Sequence, residues 1–187
     1  MIFYIADTYF GDERAVVRYG RPYADAAEAE EMLTEMWNCT VSANDEVYIL
    51  GGMFGRRVGD PCRVLAALEG RKILVAGGAE TAWMKRRGAL RYFDCIAQYA
   101  ETADRGAQVT MRRRPPVVWR RDDGFAVHGT TRTDVGGRLL AYARDDRSVL
   151  NASVDVNGYR PVTFEEMLTN NELFREGLRI GECWIGA

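Results

Sequence analysis

Three short apolar runs in the first half of the chain stop on residues that carry chemistry or let a ligand come close. Ile2 to Ala6 stops at Asp7, Glu46 to Leu50 at Gly51-Gly52, and Lys72 to Ala76 at Gly77-Gly78. A carboxylate can be a metal ligand, a general base or an ion-pair partner, and a glycine lets backbone approach a bound group. In open α/β sheets the ligand crevice lies outside the carboxyl ends of the strands, so these ends mark a candidate site before any reaction is assigned. Other chemistry-bearing residues are few. His128 is the one histidine in 187 residues, which excludes any centre built from several imidazoles. A nucleophilic triad would have only His128 to use. Cys39, Cys62, Cys95 and Cys183 form no Cys-x-x-Cys pair, which excludes a zinc ribbon. They read as reduced thiols, mostly buried.

The elements that must position these residues follow from periodicity. Ile2 to Ala6 suits a buried strand. From Tyr23 through Trp37 the pattern is helical, with Ala27, Met32, Leu33 and Met36 on one face and the glutamates elsewhere. Asp60-Pro61 predicts a helix start, with Asp as N-cap and Pro at the first helical position, running to about Leu68 and ending at Gly70. The first part of the chain therefore reads β-α-β-α-β, a mostly parallel sheet with crossover helices. In the second half, Ile96 to Thr102 and Gln108 to Met111 read as a hairpin turning at Asp104-Arg105-Gly106. Phe125 to Gly129 and Leu139 to Ala143 read as further strands. Thr163 and Glu166 form a capping box that opens a final helix to about Phe174. No linker or repeat divides the chain, which is expected to be one domain over 1–187.

Composition narrows the function classes. A formal net charge of −2 gives no general case for a nucleic-acid or membrane-surface partner. No stretch reaches the roughly 20 apolar residues of a membrane helix, and the opening segment lacks the basic region of a signal peptide. A cytoplasmic protein is the expectation. Only Lys72 and Lys85 of the 25 basic residues are lysines, so single arginines carry less weight than they otherwise would.

Several segments together carry a family pattern. They are Asp7-Thr8-Tyr9-Phe10-Gly11, Arg21-Pro22-Tyr23, Glu31-Met32, Trp37-Asn38, Asp45 to Gly51, Leu68 to Val75, Pro115 with Trp119, Asn151, and Val154 to Val162. In this the chain resembles the calcineurin-like metallophosphoesterases, specifically the small phosphoesterase subfamily, from Ile2 to about Leu168. The resemblance implies an α/β fold, the four-layer α/β/β/α sandwich of that family, with mixed sheets. It also implies a site for two divalent metals such as Mn, Fe or Zn, held by carboxylates, imidazoles and an asparagine amide.

The positions that hold those metals in the family are altered here. Asp7 is kept, but Tyr9 replaces the histidine of the first motif, and Gly52 stands where a bridging aspartate belongs. Gly77-Gly78-Ala79-Glu80 replaces Gly-Asn-His-Asp and keeps only its acid. Arg113 takes the place of an isolated histidine, and Thr130 and Arg132 take the places of two more. His128 falls on a flanking position that holds no metal. Gly52 has no side-chain donor, and guanidinium groups have no lone pair to give. Asp7 and Glu80 remain as weak candidates for a hydrated ion, so no metal cofactor is expected and phosphoesterase chemistry is expected to be lost.

Three readings of the remodelled site follow. Arg113 and Arg132, with the backbone of Gly52 and Gly78, could bind phosphate or another small anion; equally, the arginines could serve only to neutralise Asp7 and Glu80. Alternatively the chain is a scaffold whose Arg112–Arg121 segment grips an acidic partner or nucleic acid. In a third reading Tyr9 or His128 serves a metal-free hydrolase as acid or base, against Tyr9 as a space filler and His128 as a structural histidine.

Overall fold

The computed structural model describes residues 1–55, 58–77, 80–85, 88–116, 124–130 and 145–178. Strands β1 (Ile2–Ile5), β2 (Glu46–Ile49), β3 (Arg71–Val75) and β4 (Cys95–Ala97) form one sheet in that order, every pair parallel. Between them run helices α1 (Glu13–Tyr19), α2 (Ala26–Thr40), α3 (Pro61–Ala67) and the short α4 (Thr81–Met84), then a single 3-10 turn over Ala89–Tyr92. The β-α-β-α-β reading of the first part of the chain holds. A second four-stranded sheet is formed by β5 (Ala100–Asp104), β6 (Ala107–Arg112), β7 (Gly124–His128) and β8 (Val149–Asn151). Its β5-β6 pair is antiparallel and the rest parallel, so the sheet is mixed. Helix α5 (Phe164–Arg175) follows.

Alternation along β1 to β3 sends apolar residues to both faces of the first sheet. Phe3, Ile5, Val47, Ile49 and Leu74 pack with Leu33 and Trp37 of α2 and Val64 and Leu65 of α3. Tyr4, Leu50 and Val75 face the other way and meet Val109, Met111, Val127 and Leu150 of the second sheet. Helix α5 adds Phe164 and Met167 to this inter-sheet core and lies against β1 and β8, the edge strands on one side of the molecule. The opposite face of the second sheet is also buried, at Thr110, Ala126, His128 and Val149.

Local signals placed the starts of α3 and α5, whereas α1 and α4 had no expectation in the sequence and α2 begins at Ala26 rather than Tyr23. The Asp60 side chain accepts from Cys62 N with Pro61 in the first turn, and Thr163 and Glu166 form a reciprocal capping box. Three expectations need correction. The buried face of α2 is Ala26, Ala29, Leu33 and Trp37, not the Ala27-Met32-Leu33-Met36 face; Asp25 is the cap, and Met32 faces solvent. Ile96 to Thr102 is not one strand. The chain crosses at Gln98-Tyr99, so Cys95–Ala97 completes the first sheet while Ala100–Asp104 begins the second. Cysteines are not mostly buried: Cys39 and Cys95 are exposed on a helix face and an edge strand, and Cys62 is half-buried. Leu139 to Ala143 and Cys183 lie outside the described residues. Among the described residues no helix is long and apolar enough to cross a membrane.

Segments that carry the family resemblance hold the fold together by pairs. Trp37 Nε1 donates to Glu69 O at 3.0 Å, and Asn38 brackets the end of α3 by donating to Ala67 O and accepting from Glu69 N. Lys72 Nζ donates to Leu68 O and Gly70 O, and burial holds its amine below the usual lysine range. Asn171 of α5 accepts from Asn151 N at 2.7 Å and donates back to Asn151 O at 3.0 Å, a strand-like pairing made by a side chain. Asn171→Ala removes both bonds from the edge of β8 that α5 covers. It should lower unfolding free energy by about 1–3 kcal/mol in urea titration, whereas Thr169→Ala, exposed on the same helix, should change it by less than about 0.5 kcal/mol.

Candidate functional site

Beyond their last ladder bonds, β1 and β2 stay paired through their loops. Asp7 N donates to Gly51 O, Tyr9 N to Gly52 O and Phe10 N to Met53 O. To follow one another this way, four residues turn left-handed: Gly51 and Gly52, and also Asp7 at φ 57° and Tyr9 at φ 49°. The last two carry side chains, and that conformation is strained for them. Arg21 holds them there. Its Nη2 donates to Asp7 O at 2.5 Å and Nη1 to Thr8 O at 2.8 Å. The rest of its fork is taken by Asp155, with Nε and Nη2 bonded to the two carboxylate oxygens at 2.8 and 3.0 Å. Burial opposes the Arg21 charge, and the Asp155 bonds and charge more than offset it.

The candidate centre lies where these loops meet the end of β6. Arg113, the residue after β6, crosses to the first sheet. Its Nη2 pairs with Asp7 Oδ1 at 2.5 Å and reaches Tyr9 Oη at 3.2 Å, while Nη1 donates to Gly129 O. Asp7 is fully buried and the Arg113 side chain is 14% exposed. Its aliphatic stem lies over two glycines: a Cβ at Gly51 would fall 2.2 Å from Arg113 Cδ, and one at Gly77 would fall 2.6 Å from Cγ. The strand-end glycines give room here to an internal arginine.

Glu80 completes the arrangement from the N-terminal edge of α4. Its two oxygens accept from Gly52 N at 2.5 Å and Gly77 N at 2.7 Å, and the residue is buried. The backbone donors at Gly52 and Gly77 thus already hold a carboxylate of the chain itself. Tyr9 stacks on Tyr19 with centroids 5.8 Å apart, beside Arg21. Burial, and then the neighbouring Asp7 carboxylate, push its phenol well above the usual tyrosine range, which is the wrong direction for a base.

His128 ends β7 opposite Arg112 in the ladder. Its Nδ1 accepts from Thr130 N at 3.3 Å, and Thr130 O accepts from Asn151. Burial, then the charges of Arg113 and Arg175, push the imidazole down to about 3. The structure therefore brings together Asp7, Tyr9, Gly52, Glu80 and Arg113, and sets Thr130 beside His128. Gly78, Ala79 and Arg132 lie outside the described residues, as do 117–121 of the basic segment. Within that segment Arg112 and Arg114 face solvent, with Arg112 over the Tyr99 ring at 5.1 Å, whereas Arg113 turns inward. Among the described residues no group of three or more His, Cys, Asp or Glu is placed to hold a metal ion. Sequence reasoning gave no role to Arg21, Asp155 or Gly129. The available signal was that Arg21 and Asp155, of opposite charge, both fall inside matched segments.

Two predictions follow from these contacts. Arg113→Ala leaves Asp7 buried without its guanidinium and should cost about 3–5 kcal/mol of unfolding free energy; the double variant Asp7→Asn, Arg113→Gln should recover part of that loss. His128 gives a pH dependence whose sign is fixed. The unfolded imidazole takes a proton below 6.5, but the folded one stays neutral to about 3. Between those values only the unfolded chain binds that proton, so stability falls as pH falls, by about 1.4 kcal/mol per pH unit. Urea titrations across the window should show this slope in the native chain and its loss in His128→Gln.

Comparison with known proteins places the fold without a function. No family model matches the chain. It is similar to the uncharacterized protein MJ1445 of Methanocaldococcus jannaschii, 23% identical over 167 residues that cover 88% of this chain and 87% of that one. Among solved structures it is similar to AQ665, a protein of unknown function from Aquifex aeolicus, with TM-score 0.64 and 24% identity over 89% of this chain and 96% of that one. The likeness to AQ665 shows a shared mixed α/β fold.

Proposed function

We propose that the chain is a metallophosphoesterase-like protein whose dinuclear metal site has been replaced by internal ion pairing, a pseudo-phosphoesterase without phosphoester hydrolysis. The observation that carries this reading is Arg113, whose guanidinium sits on Asp7 at the strand ends. Two dications held close together need a bridging carboxylate and neutral donors. Gly52 offers neither, both Glu80 oxygens are engaged by backbone N–H groups, and Asp7 shares its space with a permanent cation. The residues present do not fit the family's metals. The four-layer α/β/β/α sandwich belongs to the same proposal. Helices on the outer face of the first sheet support it, as does burial on both faces of the second. Exposed thiols at Cys39 and Cys95 support a reducing, cytoplasmic location.

A retained pocket for phosphate or another small anion is the second reading. Of its expected donors, Gly52 N already serves Glu80 and Arg113 already serves Asp7, which favours neutralisation over anion capture. Tyr9 as a general base in a metal-free hydrolase is disfavoured by the raised phenol. The scaffold reading keeps Arg112 and Arg114 as surface cations for an acidic partner.

Metal analysis of the purified chain, beside a Mn²⁺-supplemented assay on bis(p-nitrophenyl) phosphate, tests the proposal. The expected result is no stoichiometric metal and no turnover above buffer. Stoichiometric metal with turnover overturns it. Calorimetric heat from inorganic phosphate at millimolar concentration would instead favour the anion pocket.

A further inference from the structure

Asn157-Gly158 is the single Asn-Gly step in the chain, and that dipeptide carries a reaction of its own. The backbone nitrogen after an asparagine can attack the side-chain carboxamide and close a cyclic imide. Glycine in that place, having no Cβ, hinders the approach least. The fold takes hold of the groups that would react. Asn157 is 1% exposed. Its Nδ2 donates to Asn151 O at 2.8 Å and to Ser153 O at 2.9 Å, and its Oδ1 accepts from Asn170 Nδ2 at 3.3 Å. Ring closure needs a carboxamide that turns freely and sheds its nitrogen, and here that nitrogen is the atom held by two carbonyls. The main chain is fixed as well. Asn157 N donates to Ser153 O and Tyr159 N to Val154 O, across Gly158 at φ 68° and Tyr159 at φ 61°.

We infer that Asn157-Gly158 is a latent modification site, silent in the folded chain and converted to aspartate and isoaspartate when the chain unfolds. In the unfolded chain the carboxamide is free and water reaches it. Gly158 N loses its proton to hydroxide or a buffer base and bonds to Asn157 Cγ. The Cγ–Nδ2 bond breaks, and the nitrogen leaves as ammonia with a proton from solvent. Water then opens the imide at either carbonyl. One opening leaves aspartate; the other leaves isoaspartate, with the main chain rerouted through Cβ and Cγ. Nothing is oxidised or reduced.

Neither product fits the place that asparagine leaves. A carboxylate accepts and cannot donate, so Asn151 O and Ser153 O would lose their donor and face a buried negative charge. Isoaspartate also adds a main-chain atom to the turn that Asn157 and Tyr159 close on Ser153 and Val154. That turn carries Asp155, whose carboxylate engages Arg21, and Arg21 holds the carbonyls of Asp7 and Thr8. Conversion during one unfolded interval therefore denies the chain its way back to this fold.

Peptide mapping by mass spectrometry tests this on the full chain, incubated in warm, mildly alkaline buffer with and without denaturing guanidinium chloride. The peptide containing Asn157 should convert at least about a hundredfold more slowly without denaturant, since reaction of an opened state follows that state's population. After dilution from denaturant, size-exclusion chromatography separates refolded from unrefolded chains. The refolded pool should hold at least about tenfold less product at position 157 than the other. Asn157→Asp, made directly, should show a lowered denaturation midpoint or no native circular dichroism spectrum, whereas Asn44→Asp, on an exposed turn, should show neither. Conversion at one rate with and without denaturant overturns the inference. So does equal product in the two pools, or an Asn157→Asp chain as stable as the unchanged one.

Discussion

A guanidinium carried from one sheet to the strand ends of another needs an acid within reach, and Arg113 finds Asp7 at 2.5 Å. Everything around that pair is arranged to keep it. Gly51 and Gly77 lack the Cβ atoms that would collide with the arginine stem. Gly129 offers its carbonyl from the end of β7, so the pair also fixes how closely the second sheet approaches the first. A buried ion pair is weak evidence for stability in itself, because desolvation opposes its attraction. Here its effect is positional. It sets which loop faces which, and Glu80 then seals the two backbone donors that remain.

A second charged pair works beside the first. Arg21 and Asp155 are remote in sequence, yet their contact lets Arg21 hold the carbonyls of Asp7 and Thr8. Without that grip the left-handed backbone at Asp7 and Tyr9 would have little to offset its strain. Tyr23 and Tyr159 meet edge-on, with ring centroids 5.5 Å apart, and extend the same junction. The segments that resemble a metallophosphoesterase are thus, in large part, segments that stitch the fold.

How much of this was legible depended on range. Asp60 with Pro61, and Thr163 with Glu166, act within one turn, and their spacing gave the helix starts directly. The inward face of α2 was misplaced because Met32 and Met36 suit a core on composition, while Ala26, Ala29 and Trp37 complete the stripe that packs. The crossing at Gln98-Tyr99 leaves no mark in periodicity, since both sides of it are strand-like. Arg113 and Asp7 lie 106 positions apart, so only the family pattern put them in one place, and only coordinates showed the direction of the side chain. Glu80 was legible as a surviving acid. Its engagement by two backbone N–H groups was not, because main-chain donors have no sequence signature.

Gly52 has a consequence for which substitutions the chain can accept. A Cβ at this position would lie 2.1 Å from Asp7 Oδ1, at a backbone φ of +65°. As long as Asp7 points towards Arg113, position 52 accepts glycine alone. The Asp7 Cα would lie 2.9 Å from that Cβ as well, so a side chain enters position 52 only if the Asp7 backbone moves, and Arg21 and Arg113 hold it. Each change waits on the others. The arrangement is interlocked: Asp7, Gly52 and Arg113 tolerate change only together.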